Sequence, residues 1–141
     1  MLRKILVALN GGPTSYDALN TAIELTQKDH GELILMSVVN TVNLPVNFGV
    51  SFNPDLADDL QNDSEMNLML AKKILKNKHL DYHTCLLYGD PAVEILTYSR
   101  SRHVDLIVMG KPMMHGIAKM FSDSVAKYVS EHTDINTLMV G

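Results

Sequence analysis

Five short runs of apolar residues are spaced along the chain, and most of them are continuously apolar rather than alternating. Such runs predict β-strands that are covered on both faces, as in a parallel sheet with helices on its two sides. The predicted strands cover residues 5–9, 33–39, 82–88, 106–109 and 137–140.

The segments between these runs have the apolar period of amphipathic helices, and local signals predict both ends of the first helix and the start of the third. Thr14 or Ser15 is expected to cap the first helix, and Gly31 is expected to end it. Asp90 followed by Pro91 predicts the start of the third helix, because an aspartate side chain accepts from unpaired N–H groups and proline fits the first turn. The fourth helix is predicted over residues 122–132.

The second helix is predicted from a longer apolar stripe, which is expected to face the core. The stripe consists of Leu56, Leu60, Met66, Leu70, Ile74 and Leu75.

Alternation of strands and helices predicts an α/β doubly wound domain, with an open parallel sheet, right-handed crossovers and helices on both faces. The length of 141 residues is that of a single domain, 1–141. Two segments, 40–54 and 111–121, follow the carboxyl ends of predicted strands, where ligands bind in sheets of this kind. We therefore expect the functional site in these loops.

Composition and net charge argue against several classes of function and location. The formal net charge is −4, which gives little attraction for a nucleic-acid backbone or an anionic membrane. The apolar run at residues 5–9 is too short for a secretory signal, and no run approaches the length of a membrane span. The single cysteine, Cys85, cannot form an internal disulfide, and it is expected to be a buried core thiol in a reducing, cytoplasmic setting.

Several common chemistries lack their motifs in this sequence. The phosphate-binding pattern of two glycines followed by Lys and Ser or Thr is absent, as are the dinucleotide fingerprint and the G-x-S-x-G nucleophile elbow. A phosphoacceptor site of the receiver type would need carboxylates at the ends of the first and third strands. The first strand ends in Leu9-Asn10 instead, and the third ends in Tyr88-Gly89.

An ordered set of short segments resembles the universal stress protein family over essentially the whole chain. Asp-Leu-Ile-Val-Met-Gly at residues 105–110 is the most specific segment, and Gly-Asp-Pro-Ala at 89–92 is the second. Further matches are Ile-Leu-Val-Ala-Leu-Asn-Gly at 5–11, Ala-Leu at 18–19, Ser-Val-Val at 37–39 and Ser-Val-Ala at 124–126. The resemblance implies a five-stranded sheet of order 3-2-1-4-5 and a homodimer joined through the last strand, residues 137–140.

The ATP-binding branch of that family carries Gly-x-x-Gly, nine residues, and then Gly-Ser or Gly-Thr after the fourth strand. In this sequence the pattern falls on Gly110, Met113, Asp123 and Ser124, so that two of its three glycines are replaced, whereas Gly116 matches a further family glycine. The family's aspartate at the end of the first strand is Asn10 here. Together with the positions that would lie against the adenine, the resemblance implies these nucleotide-contacting residues: Ala8, Asn10, Val39, Met109, Gly110, Met113, Gly116, Asp123, Ser124 and Val125.

The replaced glycines predict that ATP binding is weak or absent. Met113 adds bulk where a phosphate would pass, and the Asp123 charge about 4 Å from a phosphate would cost about 4 kcal/mol at an effective dielectric constant of 20. AMP, with fewer phosphates, would suffer less. The primary hypothesis is a cytoplasmic universal stress protein with a regulatory or protective binding role and no catalysis, which binds no nucleic acid and no membrane and has an unidentified protein partner.

Two other hypotheses stay open. One is a nucleotide-dependent switch, in which Ser124 contacts the phosphates of ATP or AMP and a Mg²⁺ ion bridges them to Asp123. The other is a small hydrolase of nucleotide-like substrates on the same fold, for which the sequence offers no nucleophile paired with a base.

Overall fold

The computed structural model describes residues 2–42, 54–112 and 123–141, apart from the side chains of residues 54–56 and 123. Five strands alternate with four helices in this part of the chain. The elements are β1 (Lys4–Ala8), α1 (Pro13–Asp29), β2 (Glu32–Asn40), α2 (Pro54–Leu75), β3 (Asp81–Gly89), α3 (Pro91–Ser101), β4 (Leu106–Gly110), α4 (Asp123–Glu131) and β5 (Asn136–Val140).

The strands form one parallel sheet of order β3-β2-β1-β4-β5, which confirms the predicted fold class and strand order. In the centre of the sheet, Ile5 of β1 is in register with Leu33 of β2 on one side and with Leu106 of β4 on the other. These residues are buried because helices cover both faces of the sheet. β3 and β5 are the edge strands.

Two apolar clusters fill the space between the sheet and its helices. One includes residues of α1 and α2, such as Leu19 and Leu68, and the other includes residues of α3 and α4, such as Ile95 and Val129. The helices therefore lie on both faces of the sheet, as predicted. Within the part of the chain that the structure describes, no helix is long and apolar enough to cross a membrane.

The predicted apolar stripe of α2 is wrong at two of its positions. Met66 and Ile74 are 47% and 36% exposed, whereas Leu75 is buried as expected. The residues that α2 buries include Ser64, Leu68 and Ala71. Small residues occupy much of this face because they let the helix axis approach the sheet closely. The helix is thus rotated relative to the prediction.

The first helix begins and ends through contacts other than the predicted ones. Its N-cap is Gly12, and Pro13 occupies the first turn, so that Thr14 and Ser15 lie inside the helix. Proline lacks an N–H to be satisfied and has the helical φ already, which favours this earlier start. At the other end His30, not Gly31, takes the left-handed conformation, with φ 52°. Gly31 is required there because a Cβ would lie 2.5 Å from the Arg3 carbonyl oxygen.

The start of α3 confirms the sequence prediction. Asp90 is the N-cap, its Oδ1 accepts from the Ala92 N–H at 3.0 Å, and Pro91 follows in the first turn. This interaction spans two residues and needs no tertiary contact, which is why the sequence signal was sufficient.

Candidate functional site

The carboxyl ends of the five strands lie along one edge of the sheet. The chain runs from β1 to β2 and β3 on one side, then returns to β4 and β5 on the other side of β1. The switch point of the sheet therefore lies between β1 and β4, where ligands bind in open α/β sheets. Asn10 follows the end of β1 there, and Gly110 ends β4. Both are among the residues that the sequence predicted.

Asn10 organises the tight turn between β1 and α1. Its Oδ1 accepts from the Gly12 N–H at 3.0 Å, and its own N–H donates to the Ser15 hydroxyl at 3.2 Å. Gly11, between Asn10 and Gly12, has φ +85°, and a Cβ at this position would lie 2.8 Å from Oδ1 of Asn67 in α2. The Asn10 side chain thus has a structural role besides its predicted nucleoside contact, because its oxygen holds the turn while its amide is a hydrogen-bond donor.

Gly110 is packed against the first turn of α1. A Cβ at this position would lie 2.5 Å from Thr14 Oγ1 and 2.6 Å from the Thr14 carbonyl carbon. The same threonine hydroxyl donates to the Lys111 carbonyl oxygen at 2.9 Å. The absence of a side chain at Gly110 is therefore explained by the contact between α1 and β4, independently of any phosphate.

Three of the predicted contact residues are buried in the sheet. Ala8 is 1% exposed, Val39 is 3% exposed and Met109 is fully buried. Ala8 and Met109 belong to the cluster on the face of α3 and α4. Their side chains are covered by the core, so any ligand contact at these positions would have to use their backbone groups.

A cleft of about 290 Å³ lies where the beginnings of α3 and α4 approach the end of β2. Its lining contains Ser124 and Val125, which are two of the predicted residues, and several residues that the sequence analysis did not predict. Its lining is Asn40, Val42, Asp90, Pro91, Ala92, Ser124, Val125 and Tyr128. Of the remaining predicted residues, Met113 and Gly116 lie outside the described residues, as does the Asp123 side chain at the start of α4.

Val42 and Tyr128 give the cleft exposed apolar surface, since they are 62% and 42% exposed. Tyr128 lies one helical turn after Ser124, so the helical period could have added it to the predicted site. Val42 follows β2 in a segment without a motif, and no sequence signal marks it. Exposed apolar surface beside polar groups suits a ligand that has an apolar part and a hydrophilic substituent.

Two helix N-termini border the cleft, and an aspartate lies at the start of each helix, Asp90 at α3 and Asp123 at α4. The first turns of α3, at Pro91 and Ala92, and of α4, at Ser124 and Val125, contribute to its lining. Each helix start carries the equivalent of about half a positive charge from its aligned peptide dipoles. The Asp90 carboxylate offsets part of this field at α3, since it caps the helix. The backbone N–H groups of the two helix starts are thus the groups of the cleft that favour an anion, and the charges of Asp90 and Asp123 oppose them.

Other polar sites lie away from this cleft. A cavity of about 480 Å³ at the opposite end of the sheet, lined by residues such as His30, Lys78 and His79, contains none of the predicted site residues. Cys85 is half-buried, and burial raises the pKa of its thiol, with a smaller opposing effect from its hydrogen bond with Tyr98. Among the described residues, no group of three or more His, Cys, Asp or Glu side chains could hold a metal ion.

Comparisons with known proteins agree with this fold. The model of the universal stress protein family matches residues 1–141, and the chain belongs to that family. Universal stress protein YxiE of Bacillus subtilis is 30% identical, with 99% of each chain covered.

Two solved structures place this chain among proteins of the same fold. A universal stress protein family member from Burkholderia pseudomallei is 25% identical, with a TM-score of 0.78 over 99% of this chain and 96% of that one. A universal stress protein of Archaeoglobus fulgidus, solved in complex with dAMP, is 15% identical, with a TM-score of 0.70 over 100% of this chain and 98% of that one.

Proposed function

We propose that this universal stress protein is a regulatory or protective binding protein of the stress response that has no catalytic turnover. Its ligand is an adenosine monophosphate, held in the cleft between α3, α4 and the end of β2, whereas ATP binds weakly or not at all. The observation that carries this proposal is the pairing of an exposed apolar surface, Val42 and Tyr128, with two helix N-termini. The cytoplasmic location expected from the sequence remains a prediction.

The electrostatics of the cleft favour one phosphate over three. A single phosphate gains from the N–H groups and dipole of a helix start, which is a common anion site. The family resemblance implies that a longer phosphate chain would meet the positions of Met113 and Asp123, where two family glycines are replaced. The dAMP complex of the Archaeoglobus relative supports a monophosphate ligand for this fold.

Calorimetric titration with AMP, ADP and ATP, each with Mg²⁺ and with EDTA, tests the proposal. We expect affinity to fall from AMP to ATP. In the double variant Met113→Gly/Asp123→Gly, the affinity for ATP should rise more than the affinity for AMP, and high salt should reduce the gain because relieved charge repulsion is screened. Equal affinity of the wild-type protein for all three nucleotides would contradict the proposal.

The rival switch hypothesis predicts the opposite sign for one variant. If Asp123 holds a Mg²⁺ ion that bridges to the phosphates, Asp123→Gly should weaken ATP binding and abolish its dependence on Mg²⁺. The single variant Asp123→Gly, titrated with and without Mg²⁺, therefore separates the two hypotheses. The hydrolase hypothesis would require that the protein release phosphate or adenine from nucleotides faster than they are released in buffer without protein.

We also propose that two copies pair through β5. This edge strand is hydrogen-bonded to β4 on one side. Its Leu138 is 36% exposed although it lies in an apolar strand. The edge of such a strand is a template for pairing with another chain. Antiparallel pairing of β5 with its copy would extend the sheet across a two-fold axis.

A further inference from the structure

The face of α2 that points away from the sheet has a regular pattern of its own. Six exposed residues recur at alternating intervals of three and four, which is the spacing of a coiled-coil seam. We call this set the α2 seam: Asp59, Asn62, Met66, Met69, Lys73 and Lys76.

The α2 seam changes character along the helix. Its beginning is acidic, with Asp58 beside Asp59, and its end is basic, with Lys72 beside Lys73. At its centre two methionines are exposed in succession, Met66 at 47% and Met69 at 43%. Acidic residues at the start of a helix and basic residues at its end are favoured by the helix dipole, which would explain the charges in the terminal turns of α2. The dipole does not explain why exposed methionines lie on the same face as those charges.

We propose that the α2 seam binds the α2 seam of a second copy of this protein, with the two helices antiparallel. The charge pattern identifies a second copy as the partner, because antiparallel packing of two α2 helices brings the acidic half of each against the basic half of the other. Aligning the methionines places Met66 against Met69 of the second copy. In the same register Asp59 faces Lys76 of the second copy, and Asn62 faces Lys73 of the second copy.

The surroundings of the seam fit this partner. A groove of about 380 Å³ runs beside its basic half and is lined by Met69, Tyr82 and the lysines at 72, 73, 76 and 78, among others. All four lysines are exposed. The acidic half of the second helix can enter this groove and bring carboxylates to the lysines. Parallel packing would instead set like charges against each other, which disfavours it.

This contact is distinct from pairing through β5. α2 packs on β2 and β3, whereas β5 is the opposite edge of the sheet. A protein with two different self-complementary surfaces forms closed tetramers or open chains, depending on the angle between its two-fold axes. The α2 contact should also be sensitive to salt, since exposed charges are screened within about 10 Å at 0.1 M ionic strength.

A charge-swap experiment tests the proposal by sedimentation equilibrium at low salt. All proteins would carry Leu138→Lys, so that association through β5 does not contribute. Asp59→Lys alone and Lys76→Glu alone should each weaken self-association at least tenfold, because each creates two like-charge pairs. An equimolar mixture of the two variants should recover it, because every pair is then opposite in charge.

Matched controls are available on α1, where Glu24 and Lys28 are exposed. Glu24→Lys and Lys28→Glu change the net charge by the same amounts and should leave self-association unchanged. The proposal is overturned if the protein shows no self-association in this background, if the α1 variants act like the seam variants, or if the mixture fails to recover. Loss of association with Lys76→Glu but not with Asp59→Lys would also overturn it, because Lys76 would then face an acidic group other than Asp59.

Disulfide trapping tests the register independently and also works where β5 pairing persists. In a Cys85→Ser background, a mixture of Met66→Cys and Met69→Cys proteins should form a cross-linked species of twice the 15.7 kDa chain mass under mild oxidation. A mixture of Met66→Cys and Ile74→Cys should not, although residue 74 is also exposed. Equal cross-linking in both mixtures would overturn the antiparallel register.

Discussion

The substitution Gly110→Ala distinguishes two reasons for the glycine at this position, packing against α1 and binding of a phosphate. Of the three glycines in the family's phosphate-binding pattern, Gly110 is the one that this chain retains. The added methyl group would lie 2.5 Å from Thr14 Oγ1, 2.6 Å from the Thr14 carbonyl carbon and 2.7 Å from its oxygen. All three distances are far below ordinary van der Waals separation, and two of them involve backbone atoms that a rotamer change cannot move. The first turn of α1 must therefore shift away from β4.

Overpacking of this kind destabilises a protein by about 1–3 kcal/mol. For a chain of this length, each kcal/mol lowers the melting temperature by roughly 3–4 °C, which gives an expected decrease of about 3–12 °C. Differential scanning calorimetry measures the decrease directly. The affinity for AMP, titrated well below the melting temperature, should change less than twofold because the cleft lies at α3 and α4.

The double variant Gly110→Ala/Thr14→Ala provides the control. It removes the threonine hydroxyl but leaves the backbone atoms that the new methyl group meets, so it should not restore the stability lost in Gly110→Ala. If Gly110→Ala melts like the wild-type protein and yet loses its AMP affinity, the glycine is required by the ligand and the packing explanation is refuted.

Three other predictions concern single residues. Asp90→Ala should lower the free energy of unfolding by about 0.5–2 kcal/mol through loss of the α3 cap, and it should not weaken AMP binding, because this carboxylate lines the cleft and opposes an anionic ligand; a large loss of affinity at unchanged stability would show that Asp90 holds the ligand directly. Leu138→Lys should shift the β5 dimer toward smaller species in light scattering without lowering the melting temperature of the subunit, and an unchanged mass would contradict pairing through this strand. Burial raises the pKa of the Cys85 thiol in the folded protein, so the protonated thiol should stabilise the fold fully below about pH 8.5 and less as the unfolded thiol ionises above that pH. Urea unfolding at several pH values should show this loss of stability in the wild type but not in Cys85→Ser.

The sequence by itself determined the features that depend on neighbouring residues. Apolar runs marked all five strands, with ends within one residue of those observed. The runs are nearly continuous in the central strands β1, β2 and β4, because a strand covered on both faces needs apolar side chains at successive positions. The Asp90 cap was equally readable, since donor and acceptor lie two residues apart. The strand order came from the family resemblance, because periodicity carries no information about which strands are neighbours.

Only the tertiary structure decided the features that depend on distant parts of the chain. The periodicity of α2 is compatible with more than one rotation, and its close approach to the sheet selected the face with Ser64 and Ala71 and left Met66 exposed. Gly31 and Gly110 looked like a helix stop and a phosphate-loop residue, yet each faces backbone far away in sequence, at Arg3 and Thr14. Such contacts are set by how the elements pack, and no local pattern encodes the distance between them.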